Sequence, residues 1–268
     1  MANPRSAGDQ RYESVFATGP FQLEYERLTC LTEELDPSTV RRISALDPRD
    51  DWNCLELGAG TGTVARWMAT RCSRGRVTAA DIDLRFLADL REPNVDVVRH
   101  DLTSDDFPAG TFDLIHSRYV LVHLRDRDRV LARMASWLAP GGWLLIEEPA
   151  HFPVESAPDS TYRDVFLAHL ELLGERAGTD ANWSRRLPGM VGRLGLVDVG
   201  VDAVCSVVGA GRPMSRFFAY VMRHLAADLT ARGQVTQGQV DRFVDLMDCP
   251  DFHELSVATI AAWGRRPV

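Results

Sequence analysis

The stretch LELGAGTG runs from Leu55 to Gly62. An acidic residue, Glu56, lies near the end of a short apolar run, and glycine then occupies every second position from 58 to 62. Such spacing suits a tight turn from a strand into a helix, because a backbone without side chains can approach a ligand closely. The following helix would present its free N-terminal amides to that ligand. A dinucleotide loop reads G-x-G-x-x-G, but Thr63 occupies the sixth position here. The stretch alone therefore leaves two readings open, a loop for another nucleotide-like ligand and a simple packing turn.

Strand and helix patterns alternate on the C-terminal side of this loop. Apolar strands are predicted at 52–57, 75–81, 94–101, 111–117 and 139–149, helices at 61–72, 83–91 and 126–138, and two late strands at 197–209 and 252–267. Repeated alternation with short links predicts an α/β fold, namely a Rossmann-like, doubly wound sheet of seven mainly parallel strands. In such sheets ligands bind at the carboxyl ends of the strands, near the point where the strand order reverses.

Helices are predicted to cover the carboxyl ends of the strands. Residues 1–50 are expected to form an N-terminal lid, with one helix from Phe21 and a second that Asp36 caps and Pro37 begins. Residues 51–268 are expected to form the main domain, with cap helices around 155–195 and 213–248. Aromatic residues in these segments belong to the core or to an apolar enclosure for a ligand: Tyr12, Phe16, Tyr25, Tyr162, Phe166, Trp183, Phe217, Phe218 and Tyr220.

Composition excludes several classes of function. The formal net charge is −8, which disfavours nucleic acid as a partner. All 30 basic residues are arginines, so lysine Schiff-base and lysine general-base chemistry are excluded. The five cysteines form no C-x-x-C pair and the seven histidines are scattered, so neither a disulfide framework nor a metal site is expected.

We predict that the protein is cytoplasmic and that its partner is a small molecule. No apolar run approaches the roughly 20 residues of a membrane helix, and the N-terminal residues lack the apolar core of a signal peptide. We therefore expect no membrane partner. The sequence leaves the oligomeric state open, a homodimer being one option.

Acidic residues stand at three successive strand ends. Glu56 precedes the first glycine, Asp81 ends the second strand, and Asp101 follows the third. A carboxylate at the second position can accept from both hydroxyls of a ribose. Strand-end acids are also common helix caps, and Asp83 is a candidate for that simpler role.

These features resemble the class I S-adenosylmethionine-dependent methyltransferases. Five blocks carry the resemblance: ELGAGTG at 56–62, AADID at 79–83, HDL at 100–102, FDLIHSRYVLVHL at 112–124 and LAPGGWLLIEEP at 138–149. The chain looks most similar to the small-molecule branch, which includes quinone-biosynthesis and natural-product methyltransferases. The resemblance covers the central part of the chain closely and the cap only loosely.

The resemblance implies S-adenosylmethionine as the cofactor and assigns residues to it. Glu56 and the loop residues would hold its methionine part, Asp81 its ribose, and Asp101 its adenine amino group. The complete set of implied cofactor residues is Glu56, Gly58, Ala59, Gly60, Gly62, Asp81, Ile82, Asp101, Leu102 and Ser117. Ser117, just past the fourth strand, would lie beneath the sulfonium.

Methyl transfer needs no conspicuous catalytic triad. Much of the acceleration can come from holding the nucleophile in line with the sulfonium carbon, and a base is needed only if the acceptor must lose a proton. The candidate bases are His116, His123 and His151 near the strand ends. Glu147 and Glu148 alternate in facing, so at most one should point into the site.

The sequence thus predicts methyl transfer from S-adenosylmethionine to a small apolar or aromatic metabolite, of a natural-product or quinone-like kind. One alternative keeps the fold and cofactor for a non-methylating reaction such as cyclisation. A nicotinamide-dependent oxidoreductase is disfavoured by Thr63 and by the absence of lysine. A non-catalytic cofactor-binding or partner-binding module is the remaining alternative.

Overall fold

A computed structural model describes residues 21–180 and 182–268. Tyr12 and Phe16 of the predicted lid lie outside the described residues. Within them, no helix combines the length and apolar character that crossing a bilayer requires.

Seven strands form one sheet in the order β3-β2-β1-β4-β5-β7-β6. They are β1 (Asn53–Leu57), β2 (Arg76–Asp81), β3 (Val95–Arg99), β4 (Phe112–Arg118), β5 (Leu138–Ala150), β6 (Val197–Val208) and β7 (Glu254–Arg265). The first five pair in parallel, whereas β7 pairs antiparallel with both β5 and β6. The predicted fold class is confirmed. The strand order reverses between β1 and β4, so a ligand crevice is expected at their carboxyl ends.

Eight α-helices of the described residues cover the sheet and its carboxyl edge. They are α1 (Phe21–Ala45), α2 (Thr63–Arg71), α3 (Arg127–Trp137), α4 (Phe152–Glu155), α5 (Ser160–Ala177), α6 (Leu187–Arg193), α7 (Pro213–Ala231) and α8 (Gln237–Asp248). Short 3₁₀ turns occur at Leu84–Leu87, Leu121–His123 and Trp183–Arg186. The 3₁₀ turn Trp183–Arg186 leads directly into α6, and Pro188 lies in the first turn of α6.

The two predicted N-terminal helices form one continuous helix, α1, so the predicted break at Asp36 is wrong. Pro37 lies inside it, although an interior proline costs about 3 kcal/mol or more. The residues just after the proline are buried and bonded to the sheet: Thr39 and Arg42 both contact Glu147. We infer that these buried contacts keep the helix intact past the proline.

The predicted helix at 83–91 is also wrong in length, because only the 3₁₀ turn Leu84–Leu87 forms. Asp83 caps this turn by accepting from the amide of Arg85 at 3.1 Å. The chain must reach β3 at Val95, and Pro93 precludes further helix on the way. Asp83 therefore has the capping role that its position allowed.

Two apolar layers position the crevice. Beneath it, β1 is buried from Cys54 to Leu57, as expected for a central parallel strand covered on both faces. Above it, α5, α7 and α8 pack into a separate cluster that includes Phe166, Phe218 and Phe243. Helix α1 joins this upper cluster through Cys30 and Leu35. The carboxyl ends of β1 and β4 thus lie beneath a helical cover.

Candidate active site

The glycine loop after β1 is bonded to the carboxyl end of β2. The amides of Gly58 and Ala59 donate to the Ala80 carbonyl at 2.9 and 3.2 Å, and the amide of Gly60 donates to Oδ2 of Asp81 at 2.8 Å. The other carboxylate oxygen of Asp81 accepts from the amide of Asp83 at 3.0 Å. These contacts fix both the loop and the Asp81 side chain.

Left-handed backbone at all three loop glycines explains their spacing. Gly58, Gly60 and Gly62 have φ of +67°, +53° and +76°, values that a residue with a side chain adopts only at a cost. Gly62 directly precedes α2, so the N-terminal amides of that helix lie at the end of the loop.

Gly58 is also required by packing, and we predict a large effect of Gly58→Ala. A Cβ at this position would lie 2.2 Å from Cγ2 of Val120, and its φ is positive. Strain and overpacking together should cost about 3 kcal/mol of unfolding free energy. Denaturant unfolding measures the effect, with Gly110→Ala as the control, because Gly110 has φ +73° but no heavy atom within 4 Å of its Cβ position. Equal losses in both variants would contradict the packing argument.

A cavity of about 500 Å³ lies over the carboxyl ends of the central strands. Its floor contains the glycine loop and the strand-end acids, namely Glu56, Gly58, Ala59, Gly60, Thr61, Asp81, Ile82, Asp101 and Leu102. Its roof is apolar and comes from three helices: Leu28 and Leu31 of α1, Leu170 and Leu173 of α5, and Met214, Phe217, Phe218 and Val221 of α7. Helices from both predicted cap segments therefore line the same space as the loop.

Most of the predicted cofactor residues line this cavity. Gly62 and Ser117 are the two that do not appear among the described lining residues. Gly62 serves the turn into α2, and the Ser117 side chain is fully buried with no hydrogen-bond partner for its hydroxyl among the described atoms.

The floor of the cavity fits a polar, nucleoside-like ligand. Burial raises the pKa of Asp81, while hydrogen bonds from the Asp83 and Gly60 amides oppose that change. A carboxylate has about four lone-pair sites. Two of them accept from those amides, so two remain to accept from a diol. In the loop, Thr61 Oγ1 is buried without a hydrogen-bond partner in the described structure, and a Cβ at Gly60 would have only the Gly58 carbonyl oxygen nearby, at 4.0 Å.

His116 lies beneath the cavity rather than in it. It is directly opposite Glu56 in the β1–β4 pair, and its Nδ1 is 2.7 Å from Oε2 of Glu56. Its Nε2 lies 3.8 Å from Oε2 of Glu147. Burial opposes protonation, but the two carboxylates outweigh it and raise the pKa of His116 to about 9. A protonated imidazole without access to the cavity is poorly placed to accept a proton from an acceptor.

Glu147 connects this ion cluster to the lid helix. Its two oxygens accept from Arg42 Nη1 at 3.0 Å and from Thr39 Oγ1 at 2.6 Å. Burial would raise the pKa of Glu147, but His116 and the nearby arginines lower it to about 2. The carboxylate therefore stays charged and joins α1 to β5 of the sheet.

Glu148 holds the turn that carries His123. Its carboxyl oxygens accept from the backbone amides of Val120, Leu121 and Val122, at 3.2, 2.7 and 3.2 Å. Burial raises the pKa of Glu148 to about 8 in spite of these amides. Neither Glu147 nor Glu148 lines the cavity, so both carboxylates act through the groups that they bind.

His123 and His151 do line the cavity. His123 Nδ1 is 3.0 Å from Oγ1 of Thr179. Burial first, and the positive charge of Arg27 next, lower the pKa of His123 to about 3. His123 is therefore a neutral hydrogen-bonding group rather than a strong base near pH 7.

Sequence reasoning missed several lining residues: Arg27, Tyr119, His169 and Thr179. Tyr119 has a left-handed backbone (φ +58°), and its hydroxyl lies 2.7 Å from Thr259 Oγ1, which no local pattern reveals. His169 did carry a signal, because a polar residue interrupts the apolar stripe of α5 at helical spacing from Phe166 and Leu173.

Comparison with known proteins agrees with this geometry. Residues 28–184, more than half of the chain, match the profile of a methyltransferase domain family. The chain belongs to this family. The resemblance to the class I S-adenosylmethionine-dependent methyltransferases is thereby confirmed, together with the predicted cofactor and enzyme class of this domain.

Two relatives illustrate how the similarity is distributed. The methyltransferase str3 of Strobilurus tenacellus is 31% identical over 140 residues, which cover 51% of this chain and 49% of str3. The trans-aconitate 2-methyltransferase of Rhodococcus jostii is 25% identical over 231 residues, which cover 84% of this chain and 85% of the relative. The chain thus spans about half the length of str3 and most of the length of the Rhodococcus enzyme.

A solved structure shows the same fold. The phosphoethanolamine N-methyltransferase 2 of Haemonchus contortus, in complex with phosphomonomethylethanolamine and S-adenosylhomocysteine, superposes with a TM-score of 0.54 at 17% identity. The match covers 91% of this chain and 52% of the Haemonchus chain. At this identity the likeness concerns the fold alone.

Proposed function

We propose that this methyltransferase transfers the methyl group of S-adenosylmethionine to a small, largely apolar acceptor. The observation that carries the proposal is the shared cavity, in which the glycine loop and strand-end acids form the floor and cap helices form an apolar roof. Concave, mostly apolar sites with a few polar groups are typical of small-molecule sites.

On the floor, the residues of this chain would hold the cofactor as the resemblance implies. Asp81, fixed by two amides, would accept from ribose hydroxyls, and Asp101 from the adenine amino group. Ile82 and Leu102 would pack on the adenine ring, with the loop from Glu56 around the methionine part. Bound there, S-adenosylmethionine supplies an electrophilic methyl group. Gly62 and Ser117 would support the loop and strand from outside the cavity.

On the roof, the cap would position the acceptor and exclude water. Phe217 and Phe218 of α7 and Leu170 of α5 offer apolar surface, and His123 and His151 offer hydrogen bonds. Alignment of a held acceptor supplies much of the acceleration in such a reaction. The sequence predicts three candidate bases, all of them histidines. We propose that His123 and His151 contact the acceptor and that His116 positions the side chain of Glu56.

The lid and cap would act together as an enclosure. Helix α1 contributes Leu28 and Leu31 to the roof and is tied to the sheet by Arg42. We propose that residues 21–50, the described part of the predicted lid, cover the catalytic domain of residues 51–268, with the cap segments around 155–195 and 213–248. Closure over the strand ends would order the acceptor before transfer.

The pairing of charged groups in the cavity lining supports an apolar acceptor over an anionic one. Arg27 Nη2 donates to Glu24 at 2.6 Å, and Arg118 Nη2 donates to Asp36 at 2.7 Å. Two of the three arginines in the described lining, Arg27 and Arg118 but not Arg125, are therefore already paired with carboxylates that an anionic acceptor would have to displace. The acceptors named for the aconitate and phosphoethanolamine enzymes carry carboxylate or phosphate groups, and we propose that this chain differs from those enzymes in acceptor class.

The proposal predicts turnover that mass spectrometry can identify. The protein is incubated with S-adenosylmethionine carrying a trideuterated methyl group and a panel of phenols, quinols and aliphatic acids. We expect a labelled methyl product from an apolar member of the panel. Label only on an acid would overturn the apolar assignment. Release of an isomer of the starting compound without label would instead indicate the non-methylating alternative, and no calorimetric binding of S-adenosylhomocysteine would refute the cofactor site.

A further inference from the structure

His169 is a buried polar side chain that lines the roof of the cavity. It lies on α5, only 4% of its surface is exposed, and its Nδ1 has no hydrogen-bond partner among the described atoms. Buried polar atoms in proteins are nearly always hydrogen-bonded. A buried polar atom without a partner has lost its hydrogen bonds to water and gained none in the protein, which costs free energy. An unmatched imidazole beside a ligand cavity therefore points to a group that the ligand supplies.

The surroundings of His169 are aromatic and apolar. Its ring makes edge contacts with Phe166 and Phe218, with centroids 5.7 and 6.4 Å apart. Phe166 also contacts the ring of His151, at 5.7 Å. Burial lowers the pKa of His169 to about 3, so its ring is neutral near pH 7 and carries one N–H donor and one nitrogen acceptor.

Two other polar side chains of the cavity lining, His123 and Arg27, already have hydrogen-bond partners. His123 Nδ1 lies 3.0 Å from Oγ1 of Thr179, and the Arg27 guanidinium is held by Glu24. His169 thus offers a neutral hydrogen-bonding group on an aromatic wall. A charged ligand group would lose its hydration beside His169, and the Arg27 guanidinium that lies over Phe217 is already held by Glu24, whereas a hydroxyl can both donate to and accept from the imidazole.

On the basis of the proposed function, we propose that the acceptor is a neutral, hydroxyl-bearing aromatic or apolar molecule whose hydroxyl binds the His169 imidazole. The aromatic body would lie against Phe217 and Phe218, on the same side of the cavity as α7. His169 is a binding residue in this proposal. It selects the acceptor by leaving a buried polar atom unpaired when a ligand lacks the hydroxyl.

Three probes of one ring system test the selection. We measure calorimetric binding of 2-naphthol, 2-methoxynaphthalene and 2-naphthoate, each with and without saturating S-adenosylhomocysteine. The wild-type protein should bind 2-naphthol about tenfold more tightly than either of the others. The variant His169→Phe should bind 2-naphthol and 2-methoxynaphthalene equally, because it keeps an aromatic surface but removes both ring nitrogens. His169→Leu gives the same comparison should the larger ring not fit.

The controls separate recognition from folding. Tyr162→Phe removes a buried hydroxyl from the same helix, one that donates to the Leu255 carbonyl at 3.2 Å and lies outside the cavity lining. It should keep the full preference for 2-naphthol, and His169→Asn, which retains hydrogen-bonding groups, should keep part of it. Equal binding of the three probes by wild-type protein, or an unchanged preference in His169→Phe or His169→Leu, would overturn the proposal. Absence of S-adenosylhomocysteine binding would refute the cofactor assignment, while the probe comparison without it still decides the role of His169.

Discussion

Replacing Asp81 with asparagine is expected to weaken binding of S-adenosylhomocysteine by about a hundredfold, equivalent to about 2.7 kcal/mol. The carboxylate lines the cavity, and its two oxygens accept from the amides of Gly60 and Asp83. The amide NH₂ of asparagine would face one of those donors instead of accepting from it. It would also lose the charge that strengthens hydrogen bonds to a ribose diol. Calorimetric titration at fixed pH measures the change.

Asp113→Asn is the matched control for this experiment. Asp113 also accepts from a backbone amide, that of Asn53 at 2.8 Å, but at the start of β4 and β1 rather than at their carboxyl ends. The control should lose some stability and keep its affinity for S-adenosylhomocysteine. A dissociation constant for Asp81→Asn within about threefold of the wild-type value would place the ribose elsewhere. Such a result would not bear on the fold, but it would contradict the assignment of Asp81 to the cofactor.

Regular features of the site could be predicted because they depend on strand ends. Glu56 is the last but one residue of β1, Asp81 ends β2 and Asp101 follows β3 by two residues, and parallel strands bring such residues to one edge regardless of the details of packing. Glycines at alternate positions signalled a turn, and their positive φ values agree with that signal. Periodicity and turn chemistry were sufficient for this part of the molecule.

The histidines could not be placed from sequence because strand facing and tertiary pairing decide their environment. His116 and Ser117 are adjacent on β4 and point to opposite faces, and neither reaches the cavity. His116 is opposite Glu56 because of the β1–β4 register, which no local pattern fixes. His169 is 46 residues beyond His123 in the sequence, and they share a cavity only because α5 folds back over the sheet.

Helix length was also predicted wrongly, once too short and once too long. Pro37 marks a helix start by local rules, yet α1 continues through it because Thr39 and Arg42 are bound to Glu147. The segment after Asp83 has good helix formers but must reach β3 within a few residues, so it forms a single turn. Tertiary contacts and chain connectivity outweighed propensity in both places.

The buried ion cluster beneath the loop leads to the second large prediction, that Arg42→Met costs about 3 to 5 kcal/mol of unfolding free energy. Arg42 is 5% exposed and donates to Glu147 at 3.0 Å, to Ser38 Oγ at 3.0 Å and to Asp202 at 2.9 Å. Methionine matches its apolar stem but leaves the buried Glu147 carboxylate short of a positive partner. Removing one member of a buried pair costs more than the pair itself contributes, because the remaining charge stays desolvated.

An exposed ion pair and a double variant make this prediction specific. Arg74 Nη2 lies 2.6 Å from Asp50, but 70% of the Arg74 side chain is exposed, so Arg74→Met should leave the denaturant midpoint nearly unchanged. Adding Glu147→Gln to Arg42→Met removes the stranded charge and should recover part of the lost stability. If Arg42→Met were as mild as Arg74→Met, the cluster would not hold α1 on the sheet. The lid would then have to be positioned by its other contacts, such as the Arg118–Asp36 hydrogen bond and the apolar packing of Cys30 and Leu35.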